Sequence, residues 1–245
     1  MEMYFGQNLA VKMGDDRQSD THGYESVATS TGAVNSLPDY YESLKVRPGE
    51  LQREATGVAP EIQARPDFHR QDCESLTTLA MFRYPRQESA TTGVGHNKHT
   101  DIGTLTFLLC EQWGLQVLCR DPDGWRFVAP KPGHAVINVG DTLCFLSSNR
   151  VRSAVHRVIP KRGLQHEDRY SIAYFLRAAN ETQFIDSTGR QISAEQWHKE
   201  KFNVFRETHE EQGKLPILTG GDGAAGGSGG LVLAPFLDVD IVEAD

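Results

Sequence analysis

The sequence predicts a mainly β chain with flanking helices, built on a double-stranded β-helix (jelly roll) core. Three observations predict it. Short apolar runs alternate with turn residues through the middle of the chain, the rhythm of a sandwich or jelly roll. The separators Asp121-Pro122-Asp123-Gly124, Lys131-Pro132-Gly133 and Gly140-Asp141 have turn chemistry with a physical cause. Proline pre-sets φ, glycine tolerates positive φ, and aspartate bonds the nearby backbone. The last run, from Arg169, alternates in side-chain character with a period of two, as a strand must.

Strands are expected over residues 104–109, 115–120, 125–129, 135–139, 142–146, 154–159 and 169–177. In the last of these, Arg169, Ser171, Ala173 and Phe175 share one face and Tyr170, Ile172, Tyr174 and Leu176 the other. The second face is apolar and needs a covering helix. The first is small and polar, so it leaves space inside the barrel. There a guanidinium and a hydroxyl can clamp a carboxylate through charge-assisted hydrogen bonds.

Chemistry concentrates in Gly95-His96-Asn97-Lys98-His99-Thr100-Asp101 and Val155-His156-Arg157. Residues two apart on a strand point the same way, so His99 and Asp101 can hold one ion from a single strand end. His156, from a distant strand, completes two imidazoles and one carboxylate on one face of a metal. That is the ligand set of a non-haem Fe(II) oxygenase. His96 lies three residues from His99, which on a regular strand puts it on the opposite face. It is therefore expected in a loop near the mouth. Arg169 has a blander reading as a surface ion-pair arginine, against which its small-residue face argues.

The series Ser75-Leu76-Thr77, Tyr84-Pro85, His99-Thr100-Asp101-Ile102-Gly103-Thr104-Leu105-Thr106, Gly114-Leu115-Gln116-Val117, Trp125, Val139-Gly140-Asp141, Ser148-Asn149, His156-Arg157-Val158 and Arg169-Tyr170-Ser171 resembles the isopenicillin N synthase-like Fe(II)/2-oxoglutarate-dependent dioxygenases. The resemblance runs from about Glu74 to Ala178. It implies iron on His99, Asp101 and His156, and 2-oxoglutarate held by Arg169 and Ser171 with Tyr84 against it. It implies O2 as co-reactant, release of succinate and CO2, and hydroxylation, desaturation or ring closure of a small organic molecule. The asparagine common in the family two residues before the tyrosine is Phe82 here. Phe82 and Phe175 are candidates for the substrate pocket. The region around Arg177-Ala178-Ala179-Asn180 and Trp197 to Phe202 is similar to fungal secondary-metabolism members. Two other readings stay open: a 2-oxoglutarate-independent iron oxidase, since the family's namesake uses its Arg-x-Ser pair on substrate, and an inactive, shortened relative serving as a binding module.

Composition bounds the rest. A chain of 245 residues, 38% hydrophobic, can bury one good core. A net charge of −8 without a Lys/Arg block argues against a nucleic-acid partner. No signal peptide or membrane span is expected, and a cytoplasmic location is the default; oligomeric state is left open. Cys73, Cys110, Cys119 and Cys144 have no zinc spacing, and three lie in apolar runs expected to be strands, which suits buried reduced thiols. His134, His166, His198 and His209 lack partners at ligand spacing and are expected in solvent, whereas Phe107, Phe145 and Trp125 are expected in the core.

The expected organisation is a shortened N-terminal region with partial helical support over 1–73, the catalytic core over 74–180, a C-terminal helix over 181–213, and a Gly-rich linker with an acidic-apolar tail over 214–245. Beside the family pattern a long backing helix is absent between His69-Arg70 and Asp72-Cys73. The outward face of the last strand is therefore expected to be poorly covered. Ser193-Ala194-Glu195-Gln196 is a capping-box signature opening a helix through Trp197, Phe202, Val204 and Phe205 to about Gly213.

Overall fold

The computed structural model describes residues 1–47, 68–70, 72–89, 95–119, 124–221 and 241–242. Expectations for Arg120, for the turn at Asp121-Pro122-Asp123 and for the linker and most of the tail lie outside them. Two short helices, α1 (Glu2–Phe5) and α2 (Leu9–Met13), precede strands β1 (Gly23–Glu25), β2 (Glu42–Val46) and β3 (Thr78–Tyr84). Then come β4 (His96–His99), β5 (Leu105–Leu109), β6 (Leu115–Leu118), β7 (Trp125–Val128) and β8 (Val136–Val139). Helix α3 (Asp141–Leu146) leads to β9 (His156–Val158) and β10 (Arg169–Leu176). A hairpin of β11 (Gln183–Ile185) and β12 (Gln191–Ser193) feeds α4 (Ala194–Phe205), α5 (His209–Lys214), a 3-10 turn (Pro216–Thr219) and β13 (Ile241–Val242).

Two antiparallel sheets face each other, a six-stranded one ordered β1-β2-β3-β10-β5-β8 and a five-stranded one ordered β13-β7-β6-β9-β4. The chain passes back and forth between the sheets, which is the jelly-roll arrangement the turn rhythm predicted. Inward side chains of both, among them Ala80, Phe82, Tyr84 and Ala173 from one sheet and Leu115, Val117 and Val158 from the other, form the central core. A second core of Ile102, Phe145, Phe184, Ile192 and Trp197 seats α4 at one end of the barrel. The Ser193 hydroxyl accepts from the Gln196 N–H at 3.2 Å, as the capping signature predicted. No helix among the described residues is long and apolar enough to cross a membrane.

Several expectations are corrected. Thr142–Leu146 is not a strand but part of α3, because the Asp141 and Thr142 N–H groups turn back onto the carbonyls of Asp101, Ile102 and Gly103. A Cβ on Gly140 would lie 2.3 Å from the Gly103 carbonyl oxygen, so only glycine permits that approach. The C-terminal helix does not run on to Gly213: it ends at Phe205, and the Thr208 hydroxyl caps the separate α5 by accepting from Glu211 at 3.3 Å. Cys144 lies in α3, Cys110 and Cys119 just beyond strand ends, and all four thiols are free and half-buried rather than fully buried. Phe107 is not core: with Leu109 and Ile137 it stands on the outer face of the larger sheet, at 43%, 44% and 51% exposure. Cross-strand pairing of Ile172 with Leu109, Tyr174 with Phe107 and Phe107 with Ile137 makes this one apolar surface. The outward residues of β10 itself are half-buried, Tyr170 against Phe5 of α1, so the exposed part of this face lies on β5 and β8 and not on β10 as expected. Trp125 is half-buried under the Arg157 guanidinium, 4.1 Å from its ring, while Phe145 is core as expected.

Candidate metal centre

Strand β4 runs antiparallel to β9 with His99 opposite His156, which brings the two imidazoles together at 4.3 Å between ring centres. Asp101 follows at the strand end. One donor atom from each of His99, Asp101 and His156 lies within 4.8 Å of the others, and among the described residues this is the sole such group. The Asp101 Oδ1 stands 3.6 Å from the His99 Nε2 and 3.7 Å from the His156 Nε2.

The remaining polar atoms of these side chains are already occupied. His99 Nδ1 faces the Asn97 carbonyl at 2.7 Å and His156 Nδ1 the Ala154 carbonyl at 3.0 Å. Nδ1 carries the proton in each case, leaving both Nε2 lone pairs free to coordinate. Asp101 Oδ2 accepts from the Thr106 hydroxyl at 2.6 Å and the Asn138 amide at 2.5 Å, leaving Oδ1 uncommitted. Burial works to raise the Asp101 carboxyl, but the His156 and His99 imidazoles and the Thr106 hydroxyl outweigh it and hold it well below the usual range. Burial and the neighbouring His99 push His156 down to about 4, so it is neutral at pH 7. Three inward lone pairs with the outer atoms satisfied fit a divalent metal that takes nitrogen and oxygen ligands.

Next to this set, Arg169, Ser171 and Tyr84 line the same cavity, of about 640 Å³ including its open mouth. Arg169 is 1% exposed; its Nε donates to the Trp113 carbonyl at 3.0 Å, and its Nη1 is buried without a partner. An unpaired guanidinium nitrogen in the cavity wall beside a hydroxyl has the donor geometry to receive a carboxylate. The Tyr84 ring lies 4.8 Å from the guanidinium, and burial pushes its phenol up to about 12, so it keeps its proton as a donor. Phe82 and Phe175, edge to face at 6.4 Å, line both this cavity and an adjoining second one, as do His96, His99 and Asp101.

The structure places His96 on β4, not in a loop. The register slips between His96 and His99, two residues opposing Arg157 alone, and this bulge turns His96 to the same side as His99. Their rings stack at 4.4 Å, with Tyr41 on the other side of His96 at 4.7 Å. His198 is not in solvent either: it is 2% exposed on α4, with neither ring nitrogen hydrogen-bonded. His134 is exposed, His166 lies at the surface, and His209 reaches the Gly32 carbonyl at 2.9 Å.

Sequence reasoning missed the supports. Asn97, whose carbonyl orients His99, is tied through its amide to Gln212 at 2.6 Å, and Gln212 caps the end of α4 by donating to the Val204 and Phe205 carbonyls. Lys201, fully buried on α4, reaches Asp141 at 2.5 Å and Thr100 at 2.6 Å, fixing the segment that carries Asp101. A lysine at a core-facing helix position, four residues after Trp197, was the available signal.

Residues 75–178 match the 2OG-Fe(II) oxygenase superfamily. The chain is 65% identical over 256 residues to the oxidoreductase vrtI of Penicillium aethiopicum, with 90% of this chain and 62% of that protein covered. It is 54% identical to the 2-oxoglutarate-dependent dioxygenase frbH of a Dothideomycetidae species, covering 90% of this chain and 79% of that one. The chain thus spans less than two thirds of the first relative and about four fifths of the second. Among solved structures, the dioxygenase for auxin oxidation of rice superposes with a TM-score of 0.59 at 21% identity, over 86% of this chain and 81% of that one, a likeness of fold. The chain belongs to the 2OG-Fe(II) oxygenase superfamily, whose members use Fe(II), 2-oxoglutarate and O2.

Proposed function

We propose that this protein is an oxygenase that uses Fe(II), 2-oxoglutarate and O2 to oxidise a small organic metabolite, in fungal secondary metabolism. His99 Nε2, Asp101 Oδ1 and His156 Nε2 would hold the iron, and Arg169 and Ser171, with Tyr84 beside them, the cosubstrate's distal carboxylate. The observation that carries this reading is the convergence of three uncommitted donor atoms next to a buried Arg169 nitrogen that lacks a partner. Bound there, iron with 2-oxoglutarate and O2 supplies the oxidising chemistry, and the cosubstrate leaves as succinate and CO2.

The chain supplies the rest. The Asn97 and Ala154 carbonyls fix the imidazole tautomers, so no proton has to leave Nε2 when metal binds. Thr106 and Asn138 hold Asp101 Oδ2, so that Oδ1 is the oxygen that would be offered to the ion. Arg169 contributes charge and direction, and Leu108, Val117, Val136 and Val158 exclude water from the cavity.

The test is an anaerobic titration of metal-free protein with Fe(II) and then 2-oxoglutarate, followed by visible absorption. A saturable charge-transfer band is expected, lost in His156→Ala and shifted to much higher 2-oxoglutarate concentration in Arg169→Gln. Folded protein that binds iron but gives no band would overturn the 2-oxoglutarate assignment, and folded protein that binds no iron would overturn the oxygenase reading altogether.

A further inference from the structure

The second cavity, of about 620 Å³ with its mouth, touches the metal set through His99 and Asp101 and is lined on its far side by Tyr41, Lys45, Ile102, Arg177, Phe202 and Phe205. Its charged groups fall into two classes. Lys45 pairs with Glu25 at 2.8 Å, and Asp20 pairs with Arg206 at 2.7 Å. Arg177 has no carboxylate partner among the described residues. One arm of its fork is used: Nη1 donates to the Leu76 carbonyl and, at 3.0 Å, to the Thr78 hydroxyl. That anchors the guanidinium at the cavity wall. The Nε is buried without a partner, and Nη2 makes no hydrogen bond to a described residue. The Nε–Nη2 edge, from which a carboxylate can take two parallel bonds, is therefore unused. Burial pushes this guanidinium down to about 10, still charged at pH 7. The Asp101 and Asp20 carboxylates oppose this shift from a distance, but neither hydrogen-bonds the half-buried guanidinium, so a ligand carboxylate can still take that place.

We propose that Arg177 anchors a carboxylate of the organic substrate, so that the protein oxidises an organic acid lying across the second cavity between Arg177 and the metal set. This rests on the oxygenase reading above. Arg169 and Arg177 sit on opposite sides of the Phe82–Phe175 pair, one in each cavity, so cosubstrate and substrate acids have separate receptors. The apolar remainder of the second cavity, Tyr41, Ala80, Phe202 and Phe205, suits the hydrocarbon body of such an acid.

The test uses two matched probe pairs, hexanoate against hexanamide and benzoate against benzamide, titrated calorimetrically under anaerobic conditions into protein loaded with Fe(II) and saturating 2-oxoglutarate. At least one acid is expected to bind tenfold or more tightly than its amide. Arg177→Met should bring the pair to parity, and Arg177→Lys should keep part of the preference, while both variants hold 2-oxoglutarate within about twofold of wild type. Parity of both pairs in the wild-type protein overturns the proposal, and so does an undiminished preference in Arg177→Met. If that variant does not fold, an undiminished preference in Arg177→Lys overturns it, because the compact ammonium cannot reproduce the fork. Heat of acid binding is read whether or not the iron–2-oxoglutarate band forms, so a missing band sinks the oxygenase reading separately from the acid anchor.

Discussion

At the scale of single residues, the site is ordered by atoms that never face the metal position. Asp101 has one oxygen for coordination because Thr106 and Asn138 hold the other. Asn138→Ala is expected to weaken Fe(II) or Co(II) binding by about 10- to 100-fold with little change in fold, measured by competitive metal titration. His198 makes a different prediction. Its burial, then the charges of Arg177, Lys45 and Lys199, push its pKa from 6.5 to about 2. A folded-state value below the unfolded one means that its neutral form supports the fold fully above pH 6.5 and that this support is lost as pH falls. Roughly 1.4 kcal/mol should be gone about one pH unit below the ordinary imidazole value, read from denaturant midpoints, and His198→Leu should flatten that slope. A slope identical in the variant would place the acid sensitivity elsewhere. The grouping of His99 with Asp101 was legible in the sequence because i and i+2 at a strand end share a face. His96 was misread for the same reason, since a bulge breaks that rule and spacing alone does not announce one. His198 was misread because a helix position is assigned by its whole face, here shared with Trp197 and Lys201, and not by its own polarity.

At the scale of elements, the strands that alternate in polarity or sit between strong turns were legible, and β5 to β10 fall within a residue or three of expectation. Strand β3 was not singled out as one. Its inward Thr78, Ala80, Phe82 and Tyr84 and outward Leu79 and Met81 are both largely apolar, so no period of two stands out. Helix α3 was read as a strand because Thr142 to Leu146 is a short apolar run, which periodicity cannot divide between the two. The close approach of Gly140 to Gly103 and the bonds of the Asp141 and Thr142 N–H groups to the Asp101, Ile102 and Gly103 carbonyls decide it. Helix α4 then does more than cover the barrel end, since Lys201 pins Asp141 and Thr100 from inside the core. Lys201→Met leaves the Asp141 carboxylate buried and unpaired and is expected to cost about 3–5 kcal/mol in urea unfolding. Adding Asp141→Leu should recover much of that loss; a double variant as weak as the single one would show that the pair matters for geometry and not for charge balance.

At the scale of the molecule, the outer face of the six-stranded sheet is a continuous apolar surface through Phe107, Leu109 and Ile137. Phe107→Ser combined with Ile137→Thr should lower the concentration dependence of the sedimentation coefficient while moving the melting midpoint by no more than about 2 °C, because those side chains bury little. Association unchanged by the pair would mean that another surface governs it. The inner face has the opposite significance. The three candidate metal ligands come from β4, β9 and the segment after β4, all on or beside the five-stranded sheet, whereas Arg169, Ser171 and Tyr84 belong to the six-stranded one. A cosubstrate coordinated at one end and ion-paired at the other would therefore be a further clasp between two walls already joined by apolar packing, loops and the hydrogen bonds of Asp101 to Thr106 and Asn138. Iron alone would reach the six-stranded wall only through the hydrogen bonds of Asp101, and 2-oxoglutarate alone would have one handhold. Heating experiments should accordingly show a stabilisation by the two together larger than the sum of their separate effects. A protein purified without them would breathe along that seam, and its sensitivity to protease would report how often the walls part.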